Sequence, residues 1–202
     1  MADDIETACK RMVADANAQL EKYEKEQVKK GDKKPNSMRT FLSGYDKSQS
    51  RTPEEQADEV VAGRSWTCNS SHMADAARHV GPKLNGKAFS DMKSLKKGVT
   101  EEDYDEFVEV YDNAMKKQGL MNFKGQPGFL PDSGDPLHLE LKDSRLSEND
   151  PRVQKCLLTY ARATREGGKK KNDKFETENA SAKRYLEAYD QAQKKSADAR
   201  AK

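Results

Sequence analysis

The sequence predicts an α+β fold, a small antiparallel sheet flanked by helices and followed by a helical C-terminal extension. Three observations favour this class. The 202 residues are 34% hydrophobic and 36% charged, which suits one modest core and long solvated helix faces. Segments with the helical period outnumber segments with strand character. The predicted strands do not alternate with crossover helices, which argues against a parallel α/β sheet.

The N-terminal part of the chain contains three predicted elements. Apolar residues at three-and-four spacing predict an amphipathic helix over residues 3–30, ending near Gly31. The short run 38–44, closed by a glycine, predicts a strand. Thr52, with proline next and glutamate three residues later, has the pattern of a capping box and begins a helix that should reach about residue 62.

The middle of the chain is less regular. The stretch VGPKLNGKAFSD, residues 80–91, has the composition of a loop, whereas Thr100 begins the clearest helix, which should end at Gly119. The segment 120–136 is rich in glycine, proline and aspartate. The alternation Leu-His-Leu-Glu-Leu at residues 137–141 predicts a half-buried strand with its histidine and glutamate opposite the leucines.

The C-terminal part is helical from Pro151 onward, with a break at residues 167–174. We therefore expect one domain over residues 1–150 and a basic helical extension over residues 151–202. The extension has fourteen Lys and Arg against seven Asp and Glu, a net charge of +7, which leaves −5 for the rest of the chain. Such an extension suits anionic wall polymers, anionic lipid or nucleic acid, or is simply a solvated helix face. Its aromatic residues are not interleaved with the lysines, so we expect no specific nucleic-acid binding.

Composition also bounds the compartment. The start of the chain, MADDIETACK, is acidic, and no run approaches eighteen apolar residues, so we expect no signal peptide and synthesis in the cytoplasm. The three cysteines, Cys9, Cys68 and Cys156, are odd in number and widely spaced. They argue against a disulfide framework and favour a reducing compartment.

The three histidines carry the chemistry. Two of them, His72 and His79, lie in the stretch SSHMADAARHV, and His138 follows Asp135 by three residues on the predicted strand. We expect the two segments to converge, with a carboxylate beside the last imidazole. Three histidines with an open fourth position are typical of a catalytic rather than a structural zinc site.

The flanking sequence extends this pattern over residues 40–142. In chain order the segments are Ser43-Gly44-Tyr45, Arg51-Thr52-Pro53-Glu54-Glu55-Gln56, Gly63-Arg64-Ser65, Ser70-Ser71-His72 and Asp135-Pro136-Leu137-His138. This order and spacing resemble the zinc peptidases of the D-alanyl-D-alanine carboxypeptidase and L-alanyl-D-glutamate endopeptidase type, which include many phage endolysins.

The chain departs from that family at four positions. His79 stands where the family has an aspartate ligand, and Asp75 replaces a glycine. Leu137 replaces an aromatic or small residue, and Arg51 does not directly follow Tyr45. Histidine is as good a zinc ligand as aspartate. Aspartate tolerates positive φ better than most residues, should the glycine position require it.

The resemblance implies a role for each site residue. His72, His79 and His138 would hold Zn²⁺, and Asp135 would act as general base and then general acid. Arg51 would bind a substrate carboxylate or the oxyanion. Residues that would contact the substrate or support the ligands are Ser70, Gln56 and Glu140.

The implied function is a zinc-dependent peptidoglycan peptidase that hydrolyses a stem-peptide amide of the L-Ala-D-Glu or D-Ala-D-Ala type. Residues 1–150 would be the peptidase-like domain. We expect a monomer that acts at the cell wall or in the periplasm after release from the cytoplasm. Its basic extension would contact anionic wall polymers or membrane.

Two alternatives stay open on the sequence. One is a cysteine hydrolase built on Cys68, His138 and Asp143, although nothing places Cys68 at a helix N-terminus. The other is a non-catalytic, charged, helix-rich interaction or structural protein, or a degenerate peptidase fold. Metal content separates these classes, because a non-catalytic scaffold needs no stoichiometric zinc and a cysteine hydrolase is insensitive to chelation.

Overall fold

The computed structural model describes residues 4–42 and 50–200. The stretch Ser43-Gly44-Tyr45, which opens the family resemblance, lies outside the described residues. The fold is α+β, as predicted. Its elements, in chain order, are α1 Ile5–Lys30, β1 Met38–Leu42, α2 Pro53–Val61, a 3-10 turn Ser71–Ala74, β2 Ala77–Leu84, β3 Lys87–Ala88, α3 Met92–Gly98, α4 Glu101–Lys117, β4 Leu120–Asn122, β5 His138–Leu141, α5 Pro151–Arg165, α6 Asp173–Glu178 and α7 Ala180–Arg200.

The helix ends confirm the capping signals of the sequence. The Thr52 side chain accepts a hydrogen bond from the Glu55 backbone N–H, and the Glu55 carboxylate accepts one from the Thr52 N–H, which completes the capping box. Gly31 ends α1 in the left-handed conformation with φ 102°, where glycine has no Cβ to clash. The predicted helix boundaries in this part of the chain therefore hold to within about two residues.

Packing divides the chain into two compact units, residues 1–49 with 75–144 and residues 50–74 with 145–202. This division differs from the boundary at residue 150 expected from the sequence. It assigns α5 to α7 to the same unit as α2, so the basic C-terminal helices share a core with residues 50–74.

The first unit is built on a five-stranded antiparallel sheet of order β1-β2-β5-β4, with β3 paired to β2. Helices α1 and α4 contribute apolar faces to its core, which includes Met12, Leu20 and Phe107. The buried Tyr111 hydroxyl donates to the Val80 carbonyl at 2.9 Å, which ties α4 to the central strand β2.

The second unit packs α2 against α5, with Phe175 of α6 and Leu186 of α7 in the same core. Glu176 accepts hydrogen bonds from the Arg165 guanidinium and from the Tyr160 hydroxyl. Burial alone would raise the pKa of the Glu176 carboxyl, but these two donors outweigh it and hold that pKa below its usual value.

Two sequence expectations about the sheet are wrong. Residues 80–91 are not a loop, because they contain the end of β2, a turn at Asn85 and Gly86 with φ 50° and 81°, and the short strand β3. An Asn-Gly pair with positive φ at both positions is the signature of a two-residue hairpin turn. Strand β5 is not half-buried either, since His138, Leu139 and Glu140 are all buried.

The expectation of free cysteines is also wrong for two of the three. Cys68 and Cys156 form a disulfide, with their Cα atoms 5.8 Å apart, which joins the segment before the 3-10 turn to α5. Cys9 is free and buried in the first unit. Burial raises the pKa of its thiol to about 12, so it is an inert core residue. Across residues 4–42 and 50–200, no helix has both the length and the apolar character needed to cross a membrane.

Candidate metal centre

Strand pairing brings two of the histidines together. His79 on β2 and His138 on β5 are directly opposed in the antiparallel register, so their side chains share one face of the sheet. Their rings meet edge to face, with centroids 5.5 Å apart and an interplanar angle of 83°. The His138 side chain is 9% exposed, whereas the His79 side chain is 24% exposed. The pair therefore lies at the edge of the buried region, with one ring open to solvent.

The carboxylate of Asp135 lies between these two imidazoles. Its Oδ1 is 3.5 Å from His79 Nε2, and its Oδ2 is 3.8 Å from His138 Nδ1. The position follows from the chain, because the His138 backbone N–H donates to the Asp135 carbonyl in the turn that leads into β5. The Asp135 side chain is 45% exposed, so a substrate or water can reach it.

A buried carboxylate fixes the orientation of His138. Glu140 Oε2 is 3.1 Å from His138 Nε2, and the Glu140 side chain is 3% exposed. In the tautomer in which Nε2 donates to this carboxylate, Nδ1 keeps its lone pair. The ring therefore presents Nδ1 on the side where Asp135 lies. A Cβ at Gly125, which has φ 73°, would lie 3.3 Å from the other Glu140 oxygen, so Gly125 leaves room for this carboxylate.

His72 lies on the 3-10 turn Ser71–Ala74 and is 3% exposed. Its backbone is held on both sides, because its N–H donates to the Ser70 hydroxyl at 3.3 Å and its carbonyl accepts from the Arg51 N–H at 3.2 Å. Ser70 therefore supports the turn that carries His72. The turn is followed by Asp75 with φ 54°, a left-handed conformation that glycine adopts freely and aspartate tolerates better than most residues.

One imidazole nitrogen from each of His72, His79 and His138 lies within 4.8 Å of the other two. The three predicted ligands are thus close enough to hold one metal ion. The sequence expectation that His72, His79 and His138 lie close enough to hold a metal ion is therefore borne out.

Arg51 is positioned by a buried amide. Its guanidinium donates to Gln56 Oε1 at 3.1 Å, and Gln56, which is fully buried, donates from Nε2 to the Ser65 hydroxyl at 2.9 Å and to the Thr67 carbonyl at 2.7 Å. Gln56 therefore orients Arg51. The nearby Glu59 carboxyl has its pKa lowered, chiefly by hydrogen bonds from Arg64 and further by the positive charge of Arg51.

A cleft of about 520 Å³ opens in the first unit beside His79 and Asp135. Phe41 and Phe89 line it on either side of Gly81, and its lining also includes Ser90 and Asp91. Sequence reasoning did not find this cleft, because residues 80–91 were expected to form a loop. The Asn-Gly hairpin signature in that segment was the available signal.

The disulfide bears on the cysteine-hydrolase alternative, which was built on Cys68. In this state Cys68 Sγ is bonded to Cys156, so it is not the thiolate that a cysteine hydrolase needs. That interpretation is wrong for the oxidised protein.

Comparison of the chain with protein-family models, with curated protein sequences and with solved structures finds no match.

Proposed function

We propose that the protein is a zinc-dependent peptidase that hydrolyses an amide bond of the peptidoglycan stem peptide, of the L-Ala-D-Glu or D-Ala-D-Ala type. The observation that carries the proposal is the convergence of three imidazoles within 4.8 Å, with the Asp135 carboxylate facing two of them. The substrate class comes from the family resemblance of residues 40–142.

The donor set suits zinc. Three neutral imidazoles are a common ligand set of catalytic zinc, and they leave a fourth position open. A buried carboxylate hydrogen-bonded to a ligating histidine, as Glu140 is to His138, is a frequent companion of such sites. A zinc ion bound there would lower the pKa of a water ligand from 15.7 to about 7, which makes a nucleophile near neutral pH.

The residues around the cluster would transfer protons, bind the substrate and orient a ligand. Asp135, half-exposed and facing His79 and His138, would take the proton of the attacking water and deliver it to the leaving amine. Arg51, held by Gln56, would bind a substrate carboxylate or the oxyanion through its fork of donors. Glu140 would hold His138 with Nδ1 toward the cluster.

The disulfide agrees with action outside the cytoplasm. Disulfides persist in oxidising compartments such as the periplasm and the cell surface, and they are rare in reducing ones. A wall peptidase made in the cytoplasm would form the Cys68–Cys156 bond after release. We therefore propose that the folded protein works in an oxidising compartment, and not in the reducing one that the cysteine count predicts.

Contact with anionic wall polymers or membrane through the basic extension is also a proposal. Because Phe175, Ala182 and Leu186 are buried in the core of the second unit, deleting residues 168–202 would damage that core. Charge reversal of the exposed Lys170 and Lys171 is a cleaner test. The double Glu variant should sediment less with isolated cell walls and hydrolyse a soluble muropeptide at the wild-type rate.

The decisive assay is hydrolysis of soluble muropeptides followed by mass spectrometry of the products. Zinc-loaded wild-type protein should release fragments cut at one stem-peptide amide, and chelation should stop the reaction. Asp135→Asn should lower kcat by roughly 10²- to 10⁴-fold, the usual contribution of a general acid–base group, with zinc still bound. Stoichiometric zinc without hydrolysis of any stem peptide would favour a degenerate peptidase fold.

A further inference from the structure

We propose that the cleft beside His79 and Asp135 selects peptides that carry an aliphatic ammonium side chain, which lies across Phe41 and Phe89 and ends at Asp91. The inference rests on the proposed function, since it takes the scissile amide to lie at the His79 end. It adds the substrate class that the metal cluster alone does not define.

Two aromatic rings, Phe41 and Phe89, belong to the lining of the cleft. Phe41 on β1 and Phe89 after β3 lie on either side of Gly81. A Cβ at Gly81 would lie 2.9 Å from Phe41 Cε1 and 3.3 Å from the Phe89 carbonyl oxygen, which is closer than such atoms pack. Glycine at this position therefore lets the Phe41 ring lie on the strand. A methylene chain packs well against aromatic rings.

The protein already places ammonium groups against these rings. Lys83 Nζ lies 4.9 Å from the centroid of Phe41, and Lys87 Nζ lies 5.6 Å from that of Phe89. Both distances are within the range of cation–π attraction. The rings therefore suit a chain that is aliphatic along its length and cationic at its end.

Asp91 supplies an anion in the lining of the cleft. Its carboxylate accepts hydrogen bonds from the Ser94 N–H at 2.7 Å and from the Ser94 hydroxyl at 3.0 Å. These donors are neutral, so they leave its charge in place, and they lower the pKa of the Asp91 carboxyl, the backbone hydrogen bond most. A carboxylate has about four acceptor positions, so it has capacity for a ligand ammonium.

Because Lys83 and Lys87 are positively charged, the cleft could instead prefer a side chain that ends in a carboxylate. A side chain ending in a carboxylate would be attracted to their ammonium groups and repelled by Asp91. We favour the ammonium because Asp91 lines the cleft, whereas the two lysines contact rings of the lining without belonging to it. The experiment therefore includes a peptide of each charge.

The test uses soluble tripeptides L-Ala-γ-D-Glu-X, in which X is lysine, norleucine or glutamate. Binding is measured by isothermal titration with the zinc-loaded Asp135→Asn protein, which should turn the peptides over too slowly to disturb the titration. We expect the lysine peptide to bind roughly 3- to 10-fold more tightly than the norleucine peptide, as for one partly exposed charge pair, and the glutamate peptide to bind most weakly.

Asp91→Asn, made in the Asp135→Asn protein, separates the effect of the Asp91 charge from its structural role as the N-cap of α3. Asparagine caps a helix as well as aspartate does, so α3 should stay intact while the charge is lost. The lysine-to-norleucine ratio should then fall to about 1. Glu101→Gln, which removes an exposed charge from the first turn of α4, is the matched control and should keep the ratio. Phe89→Ala should weaken the lysine and the norleucine peptide, because both lose the packing of their methylene chain on the ring.

Three results would overturn the inference: equal binding of the lysine and norleucine peptides, a ratio that survives Asp91→Asn, or tightest binding of the glutamate peptide. Each is distinguishable from failure of the proposed function. Hydrolysis of stem peptides without discrimination at X would refute only the selection by this cleft. Absence of zinc and of hydrolysis would refute only the peptidase.

Discussion

Removing the Glu140 carboxylate should weaken zinc binding without removing a ligand. Glu140 Oε2 lies 3.1 Å from His138 Nε2 in a place where the Glu140 side chain is 3% exposed, so Glu140→Ala leaves a buried N–H without its acceptor. Loss of such a partner typically costs 10- to 100-fold in metal affinity, or about 1.4 to 2.7 kcal/mol. Glu140→Gln keeps the shape and an acceptor oxygen, and should lose about 3- to 10-fold.

The assay is a competitive zinc titration against a chromophoric chelator, on protein whose folding has been checked by circular dichroism. Glu102→Gln, which removes an exposed charge at the start of α4, is the control and should bind zinc as the wild type does. The ranking expected is wild type, then Glu140→Gln, then Glu140→Ala. If Glu140→Ala binds zinc with wild-type affinity while remaining folded, Glu140 does not orient a ligand and the assignment of Nδ1 is wrong.

Three further predictions concern folding. Because Asp75 has φ 54° and both substitutions lose its 2.8 Å ion pair with Arg78, Asp75→Ala should be less stable than Asp75→Gly by about 1 kcal/mol in urea unfolding. The Cys68–Cys156 bond closes a long loop, with a sequence separation of 88, so Cys156→Ser should lower the free energy of unfolding by about 2 to 4 kcal/mol. The pKa of Glu176 is lower in the folded protein, so its stabilisation should be complete above the unfolded pKa, near 4.3, and be lost as pH falls through the folded pKa.

Each of these three folding predictions has a control or an outcome that would contradict it. Equal stability of the two variants at position 75 would contradict the left-handed backbone. Cys9→Ala is the control for the disulfide, because it keeps the Cys68–Cys156 bond and should lose stability on reduction as the wild type does. A Cys156→Ser protein as stable as the oxidised wild type would contradict a stabilising disulfide. Glu176→Gln should flatten the acid limb of stability against pH, whereas Glu187→Gln, at an exposed position of α7, should leave it unchanged.

The sequence predicted the elements whose signals are local. The helical period and the capping box at Thr52 gave α2 and α4 close to their observed bounds, because caps and amphipathic faces are set within a few residues. The hairpin of β2 and β3 was missed, although Asn85-Gly86 is a strong turn signal. The loop prediction followed the proline and glycine content of residues 80–91, although these residues also fit a strand and a tight turn.

The candidate site was predictable in composition and not in geometry. The order of the histidines and Asp135 along the chain indicated a metal cluster, and the pairing of β2 with β5 explains why His79 faces His138. The disulfide and the aromatic cleft could not be derived in the same way. They depend on contacts between residues far apart in the sequence, such as Cys68 with Cys156, and spacing alone does not specify such contacts.

The most direct test of the central claim is the zinc content of the purified protein, measured by inductively coupled plasma mass spectrometry after purification without chelators and with zinc supplied. The wild type and Lys142→Ala, a change at an exposed residue just after β5, should each contain about one zinc per chain. His138→Ala should contain far less. Zinc absent from all three proteins, or retained in full by folded His138→Ala, would contradict the account.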